Sequence, residues 1–155
     1  MYNRLSVATA PVTEGSTIVS VTHAYVKIWK DYNLVFRLEV ENYSDQYLHV
    51  HEYKLERGDA DDYKGPVSIK PGTKEAVAGR KEGDTSTGCV GTVSWIIGDT
   101  GKMMVIMYSV PYDFKYYKNW LAVGIFDRGS TDGFYKKMYY ESENGFKRKE
   151  FYRDT

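Results

Sequence analysis

The sequence predicts a mainly β protein built as an antiparallel β-sandwich. In several short stretches, apolar and polar residues alternate with the period of a half-buried strand. Clusters of turn-forming residues separate these stretches at intervals of roughly 10–15 residues, as in sandwiches. A chain of 155 residues is long enough for one hydrophobic core, so residues 1–155 are expected to form a single domain.

The first clear strand covers residues 34–40. Leu38 and Val40 share one face there, whereas Arg37 and Glu39 share the other. Further strands are predicted at residues 47–55, 67–69, 75–78, 90–97, 103–110 and 120–126. The breaks between them include Lys-Pro-Gly at 70–72 and Gly-Asp-Thr-Gly at 98–101, which are turn sequences.

Two stretches depart from this pattern. Near the C-terminus, the spacing of Phe134 and Met138 after Asp132, a candidate N-cap, predicts a short helix over residues 133–142. Near the N-terminus, residues 16–29 fit two structures. Apolar residues recur there at helical spacing, but the same stretch is rich in β-branched residues that favour a strand. The pattern leaves helix and strand open.

Composition excludes several classes of function. The 21 basic and 21 acidic residues give a net charge of zero, so no nucleic-acid partner is expected. No apolar run is long enough for a transmembrane helix, and none follows the start as in a signal peptide. A single cysteine, Cys89, excludes an internal disulfide and a cysteine-based zinc site.

Chemical motifs are also missing. The sequence has neither a glycine-rich phosphate loop nor a G-x-S-x-G nucleophile elbow, so we predict no catalytic residue, no cofactor and no enzymatic activity. His49 and His51 would share one face of a strand, but no carboxylate or cysteine spacing completes a ligand set. We therefore predict no metal site.

Aromatic residues are concentrated in one region. Tyrosine accounts for 15 of the 24 aromatic residues, and residues 108–140 contain 11 of the 24. Six lie within residues 108–120, around Pro111, and cannot all turn inward. They fit either a loop folded onto the core or an exposed loop that contacts a membrane interface or a cationic head group. Composition alone leaves these alternatives even.

Sequence motifs in this region resemble those of the actinoporins, the sea-anemone type of pore-forming cytolysin. Residues 109–120 are similar to the family signature S-V-P-Y-D-Y-x-W-Y-x-N-W-W, and residues 134–140 to its helix bearing M-Y-x-x-x-Y-Y. Residues 88–91, Gly-Cys-Val-Gly, resemble the family's G-A-V-G strand. The resemblance covers about residues 5–150.

The resemblance implies a compact antiparallel β-sandwich flanked by two short helices, and a site for phosphocholine head groups, with sphingomyelin preferred. By position, the head-group site would be formed by Val90, Ser109, Pro111, Tyr117, Tyr135, Tyr139 and Tyr140. The membrane-contacting loop would take Tyr112, Phe114, Tyr116 and Trp120. Tyrosine faces attract a trimethylammonium group, and tyrosine and serine hydroxyls donate hydrogen bonds to phosphate.

In the family, an N-terminal amphipathic segment enters the bilayer, and several copies line a cation-conducting pore. Residues 1–30 would be that segment here, and residues 31–155 the sandwich. The implied function is a secreted cytolysin that binds phosphocholine membranes and self-associates on them. The alternative is a lectin-like or lipid-binding module that never perforates. A detachable helix at residues 16–30 favours the pore, and a paired strand favours the alternative.

The sequence also departs from the family pattern. Tyr116 stands where the family has tryptophan, and Leu121 replaces its last tryptophan, so weaker anchoring at the membrane interface is expected. The chain stops short of the family's final strands. A sheet edge would then be left unpaired unless a partner or local chain covers it.

Overall fold

The computed structural model describes residues 2–5, 11–14, 17–27, 35–58, 65–81, 86–113, 115–140 and 151–154. In chain order the described residues form β1 (Tyr2–Leu5), β2 (Pro11–Glu14), β3 (Thr17–Lys27), β4 (Val35–Asn42), β5 (Leu48–Arg57), β6 (Lys74–Arg80), β7 (Cys89–Ile97), β8 (Lys102–Val110), β9 (Trp120–Asp127), α1 (Phe134–Tyr139) and β10 (Phe151–Asp154). Within these ranges no helix is long and apolar enough to cross a membrane.

The strands form two antiparallel sheets. The first has the order β1-β3-β4-β6, with β2 also paired to β3, and the second has the order β10-β9-β8-β7-β5. Leu38, Val40 and Val77 of the first sheet share one buried cluster with Trp95 and Ile106 of the second. The prediction of a mainly β antiparallel sandwich is therefore confirmed.

The central strands β7 and β8 of the second sheet are buried on both faces. Along β8, Met104 and Ile106 belong to the core between the sheets. Their neighbours Met103, Val105 and Met107 belong to a second cluster on the outer face. Alternation along a strand sends successive side chains to opposite faces, so an apolar run such as β8 serves two layers. The outer layer contains α1, which carries two of the predicted site residues, Tyr135 and Tyr139, and is followed directly by a third, Tyr140.

The N-terminal stretch for which the sequence left helix and strand open is a strand. Residues 17–27 form β3, which pairs with β4 from Val19–Asn42 to Lys27–Val35. β3 also pairs with β1 and β2, so it has strands on both sides. Ladder pairing along both edges satisfies its backbone groups, and its β-branched residues suit a pleated sheet. α1 is the one helix among the described residues, where the resemblance implied two.

The edge beside β9 is covered by the chain itself. β10 pairs antiparallel with β9, from Phe151–Gly124 to Asp154–Leu121. This pairing occupies the backbone groups of β9 that face away from β8.

Gly91 lies at a point of β7 where the neighbouring strands leave no room for a side chain. A Cβ at this position would lie 2.3 Å from the Lys54 carbonyl oxygen and 2.9 Å from the Tyr108 hydroxyl. Crowding of this kind costs about 1–3 kcal/mol, so Gly91→Ala should lower the free energy of unfolding by that amount in urea denaturation. Gly65→Ala is the control, because nothing lies within 4 Å of its added Cβ. Equal midpoints for the two variants would contradict this packing.

Candidate functional site

A cavity of about 640 Å³ opens at the end of the second sheet where β7 begins and β8 ends. Val90 and Ser109 are opposite partners in the β7–β8 ladder, so strand register places both at this end. Beyond β8 the chain continues into Pro111, and α1 closes another side. All seven residues predicted for the head-group site line the cavity: Val90, Ser109, Pro111, Tyr117, Tyr135, Tyr139 and Tyr140.

Three of these residues, Tyr135, Tyr139 and Tyr140, form a tyrosine wall. Tyr135 and Tyr139 are four residues apart on α1, and their rings stack with centroids 5.6 Å apart. Tyr140 meets Tyr139 edge to face at 4.7 Å. Tyr135 and Tyr139 pack against the cluster beneath α1, which is the outer-face cluster of Met103, Val105 and Met107 together with Phe134 and Met138 of the helix. Tyr140 is 49% exposed. The wall therefore has a fixed base and an accessible rim.

Tyr135 places a polar hydroxyl at the base of the wall. Burial is the main cause that raises the pKa of Tyr135, although a hydrogen bond with the buried Ser109 hydroxyl opposes the rise. Tyr135 therefore stays a neutral phenol at neutral pH. Neutral tyrosine and serine hydroxyls can both donate hydrogen bonds to an anionic group in the cavity.

The loop after β8 is shaped by Asp113. Its carboxylate accepts a hydrogen bond of 2.8 Å from the Lys115 backbone N–H. Its carbonyl oxygen accepts from the N–H groups of Tyr116 at 3.4 Å and Tyr117 at 3.2 Å. These bonds hold Lys115, Tyr116 and Tyr117 close to Asp113. The side chains of Tyr116 and Tyr117 are left 70% and 63% exposed.

The residues predicted to contact a membrane lie in different surroundings. Tyr116 is at the exposed turn, with the Lys115 ammonium 5.4 Å from its ring centroid. Tyr112 is 43% exposed and also lines the cavity. Trp120 begins β9 and is half-buried against the cluster beneath α1. Phe114 lies outside the described residues. Of the two alternatives left open by composition, the exposed aromatic loop describes Tyr112 and Tyr116.

Charged residues that no sequence motif indicated line the cavity as well. Besides Asp113, they are Glu56, Arg57, Lys118 and Lys136. Charged residues on exposed strands and helices usually mark only a solvated face, so their types gave no signal. Arg57 reaches the cavity because it is the ladder partner of Val90.

A polar clamp fixes the loop that leads into α1 onto β5. The Glu52 carboxylate accepts hydrogen bonds from the Thr131 N–H at 2.8 Å and from its hydroxyl. The Lys54 ammonium lies 3.3 Å from Glu52 and forms a salt bridge with Asp132. These contacts set where α1 begins, and so they position the tyrosine wall.

The start of α1 differs from the prediction. Gly133 is the N-cap, with φ of 75° and no side-chain capping bond, because the Asp132 carboxylate forms a salt bridge with Lys54.

The two histidines make separate contacts: His51 Nε2 lies 2.8 Å from the Gly129 carbonyl oxygen, and the His49 ring stacks on Tyr47. No group of three metal-ligating side chains occurs among the described residues.

The clamp should make stability depend on pH. Hydrogen bonds from Thr131, and then the Lys54 charge, hold the pKa of Glu52 below its ordinary value. Because the folded-state pKa is the lower one, ionised Glu52 stabilises the fold above its unfolded-state pKa, and this is lost as pH falls through the folded value. We expect Glu52→Gln to destabilise the protein by about 1 kcal/mol at pH 7.

Urea denaturation at pH 7 and in acid measures this effect. The difference between the wild type and Glu52→Gln should shrink as the pH falls below the ordinary pKa of a glutamate, about 4.3, and through the lower folded-state value. Asp99→Asn, in the exposed β7–β8 turn, removes the same charge away from the clamp and serves as the control. A difference that stays constant down to acid pH would contradict the clamp.

The fold and site define a class: a β-sandwich protein with a tyrosine-walled cavity and an exposed aromatic loop at one end. A family model described as sea anemone cytotoxic protein matches residues 40–154. This match covers more than half of the chain, and the chain belongs to that family. The family predicted from the two aromatic motifs is therefore confirmed.

Three relatives from different organisms show the extent of the similarity. The chain is 34% identical to Conoporin-Cn1 of Conus consors, over 96% of this chain and 61% of the relative. It is 30% identical to Tereporin-Ca1 of Terebra anilis, over 91% and 78%. It is 28% identical to DELTA-actitoxin-Aas1a of Anthopleura asiatica, over 89% and 65%. The chain thus spans about two thirds of the length of these relatives.

Proposed function

We propose that this protein is a secreted cytolysin that binds phosphocholine head groups, preferably of sphingomyelin, and self-associates on target cell membranes into a cation-conducting pore. The observation that carries this proposal is the convergence of the seven predicted residues on one cavity beside an exposed aromatic loop. Membership of the sea anemone cytotoxic protein family supports it. The proposal includes no catalytic step, cofactor or nucleic-acid partner.

The cavity offers complementary groups to both ends of the head group. The exposed edge of the tyrosine wall presents ring faces, which attract a trimethylammonium cation. The hydroxyls of Ser109, Tyr117 and Tyr135 can donate to the phosphate. Tyr112 and Tyr116 beside the cavity suit the boundary between water and lipid, where amphipathic rings are enriched.

Perforation requires a larger change. Residues 1–30 are the proposed insertion segment, and β3 within it is paired with β1, β2 and β4. Insertion therefore requires β3 to leave β4 and break that ladder. Burial of apolar residues in the bilayer, together with pairing or helix formation there, must offset the lost hydrogen bonds.

The alternative is a lectin-like or lipid-binding module on the same sandwich that never perforates. The specific observation in its favour is that residues 17–27 form a strand with partners on both sides. A segment held in this way resists release more than a surface helix does. The two functions share the head-group site and differ only in whether β3 leaves the sheet.

Dye release from vesicles separates these functions. The pore proposal predicts release from sphingomyelin vesicles and little release from vesicles of digalactosyldiacylglycerol, a neutral lipid that has neither choline nor an amine. Co-sedimentation with sphingomyelin vesicles without dye release would favour the non-perforating module. Equal co-sedimentation with both kinds of vesicle would contradict recognition of the head group.

A further inference from the structure

β5 is irregular at its end nearest the cavity. Leu55 pairs with Gly91 and Arg57 pairs with Val90, so Glu56 is the extra residue of a β-bulge. In a regular strand successive side chains point to opposite faces, yet the consecutive residues Glu56 and Arg57 both line the cavity. The bulge therefore adds a carboxylate to the cavity that regular pairing would turn away.

Glu56 differs from the other carboxylate of the cavity in that its side chain takes part in no bond within the described residues. Asp113 also lines it, but the Asp113 carboxylate accepts the hydrogen bond from Lys115 that shapes the loop. Glu56 has no hydrogen bond or salt bridge to any part of the chain that the structure describes. The negative charge of Glu56 is among the causes that raise the pKa of Tyr135, so the Glu56 carboxylate lies near the tyrosine wall.

We propose that the cavity binds phosphoethanolamine head groups as well as phosphocholine, because the Glu56 carboxylate accepts hydrogen bonds from their primary ammonium. Arg57 and Lys136, which line the same cavity, attract the phosphate. This inference rests on the proposed function of the cavity as a head-group site.

The chemistry of the two cations explains why a carboxylate matters. Trimethylammonium has no N–H group, so aromatic faces recognise it without a hydrogen bond. A primary ammonium has three N–H donors and is strongly hydrated, so entering an aromatic cavity is costly unless acceptors replace the lost water. The bulge supplies a charged acceptor beside the rings, which makes charge-assisted hydrogen bonds.

The test uses the full chain and vesicles of digalactosyldiacylglycerol, a neutral lipid without choline or amine, carrying a minor fraction of either phosphatidylethanolamine or phosphatidylcholine. Co-sedimentation gives the ratio of the two affinities. We expect the wild type to bind both vesicles, and Glu56→Gln to lower the ratio of ethanolamine to choline binding by about fivefold. Glu56→Asp, which keeps the carboxylate, should lower it less.

Asp99→Asn is the matched control, because it removes the same charge from the β7–β8 turn at the opposite end of the strands that frame the cavity. It should leave the ratio unchanged. A ratio for Glu56→Gln within twofold of the wild type overturns the inference, as does a wild type that binds choline vesicles only. In both cases the proposed function stands. Binding to carrier vesicles as strong as to either lipid overturns the inference and the proposed function together.

Discussion

A disulfide between β3 and β4 is expected to abolish dye release while leaving lipid binding intact. Tyr25 and Arg37 are opposite partners in this ladder, and Arg37 is exposed on the outer face of the sheet. Opposite residues of antiparallel strands have Cα atoms about 4.5–5.5 Å apart, which lies within disulfide reach. In oxidised Tyr25→Cys/Arg37→Cys, β3 cannot leave β4, whereas the cavity in the other sheet is untouched.

Reduction supplies the internal control for this experiment. A reductant should restore release in the double variant, and each single-cysteine variant should release dye in both conditions. Burial raises the pKa of the Cys89 thiol to about 12, so this native cysteine stays protonated and does not compete in disulfide exchange. Equal release from the oxidised and reduced double variant would show that residues 17–27 need not separate from β4.

Loss of Tyr139 is expected to weaken binding to sphingomyelin vesicles by about two- to thirtyfold. Its ring contacts both other members of the tyrosine wall. One cation–π contact contributes about 0.5–2 kcal/mol, and about 1.4 kcal/mol corresponds to a tenfold change in affinity. Co-sedimentation of Tyr139→Ala measures the loss, and dye release should fall in parallel.

Two variants keep this result specific to the cavity. Tyr139→Phe retains the ring and its packing against the cluster beneath α1, so it should bind almost as the wild type does. Tyr43→Ala removes another exposed tyrosine, which does not line the cavity, and should have little effect. Binding of Tyr139→Ala within twofold of the wild type would mean that the wall does not hold the cation.

Strands were predictable where their surroundings impose a local pattern. In β4, Leu38 and Val40 are buried and Arg37 is exposed, as the alternation indicated. β8 was recognisable as an apolar run because it is covered on both faces. The state of residues 17–27 was not predictable, since helix and strand both fit their sequence and pairing with three other strands decided between them.

The site was predictable only in part. Family motifs named seven residues that line the cavity, although Val90 and Tyr140 are far apart in sequence. The register of β7 on β8 and the packing of α1 bring them together. Glu56 was not foreseeable, because its orientation follows from a one-residue bulge that depends on pairing with β7. Asp132 looked like an N-cap but instead binds Lys54, a residue distant in the chain.

The central claim is that the tyrosine-walled cavity binds the phosphocholine head group. Titration of the isotopically labelled full chain with soluble phosphocholine, followed through backbone amide NMR shifts, locates the ligand directly. We predict that the largest shifts fall in residues 109–117 and 135–140, with the turn at 98–101 at the opposite end of β7 and β8 unchanged. Saturable shifts centred away from the cavity, or no shifts at all, would contradict the claim.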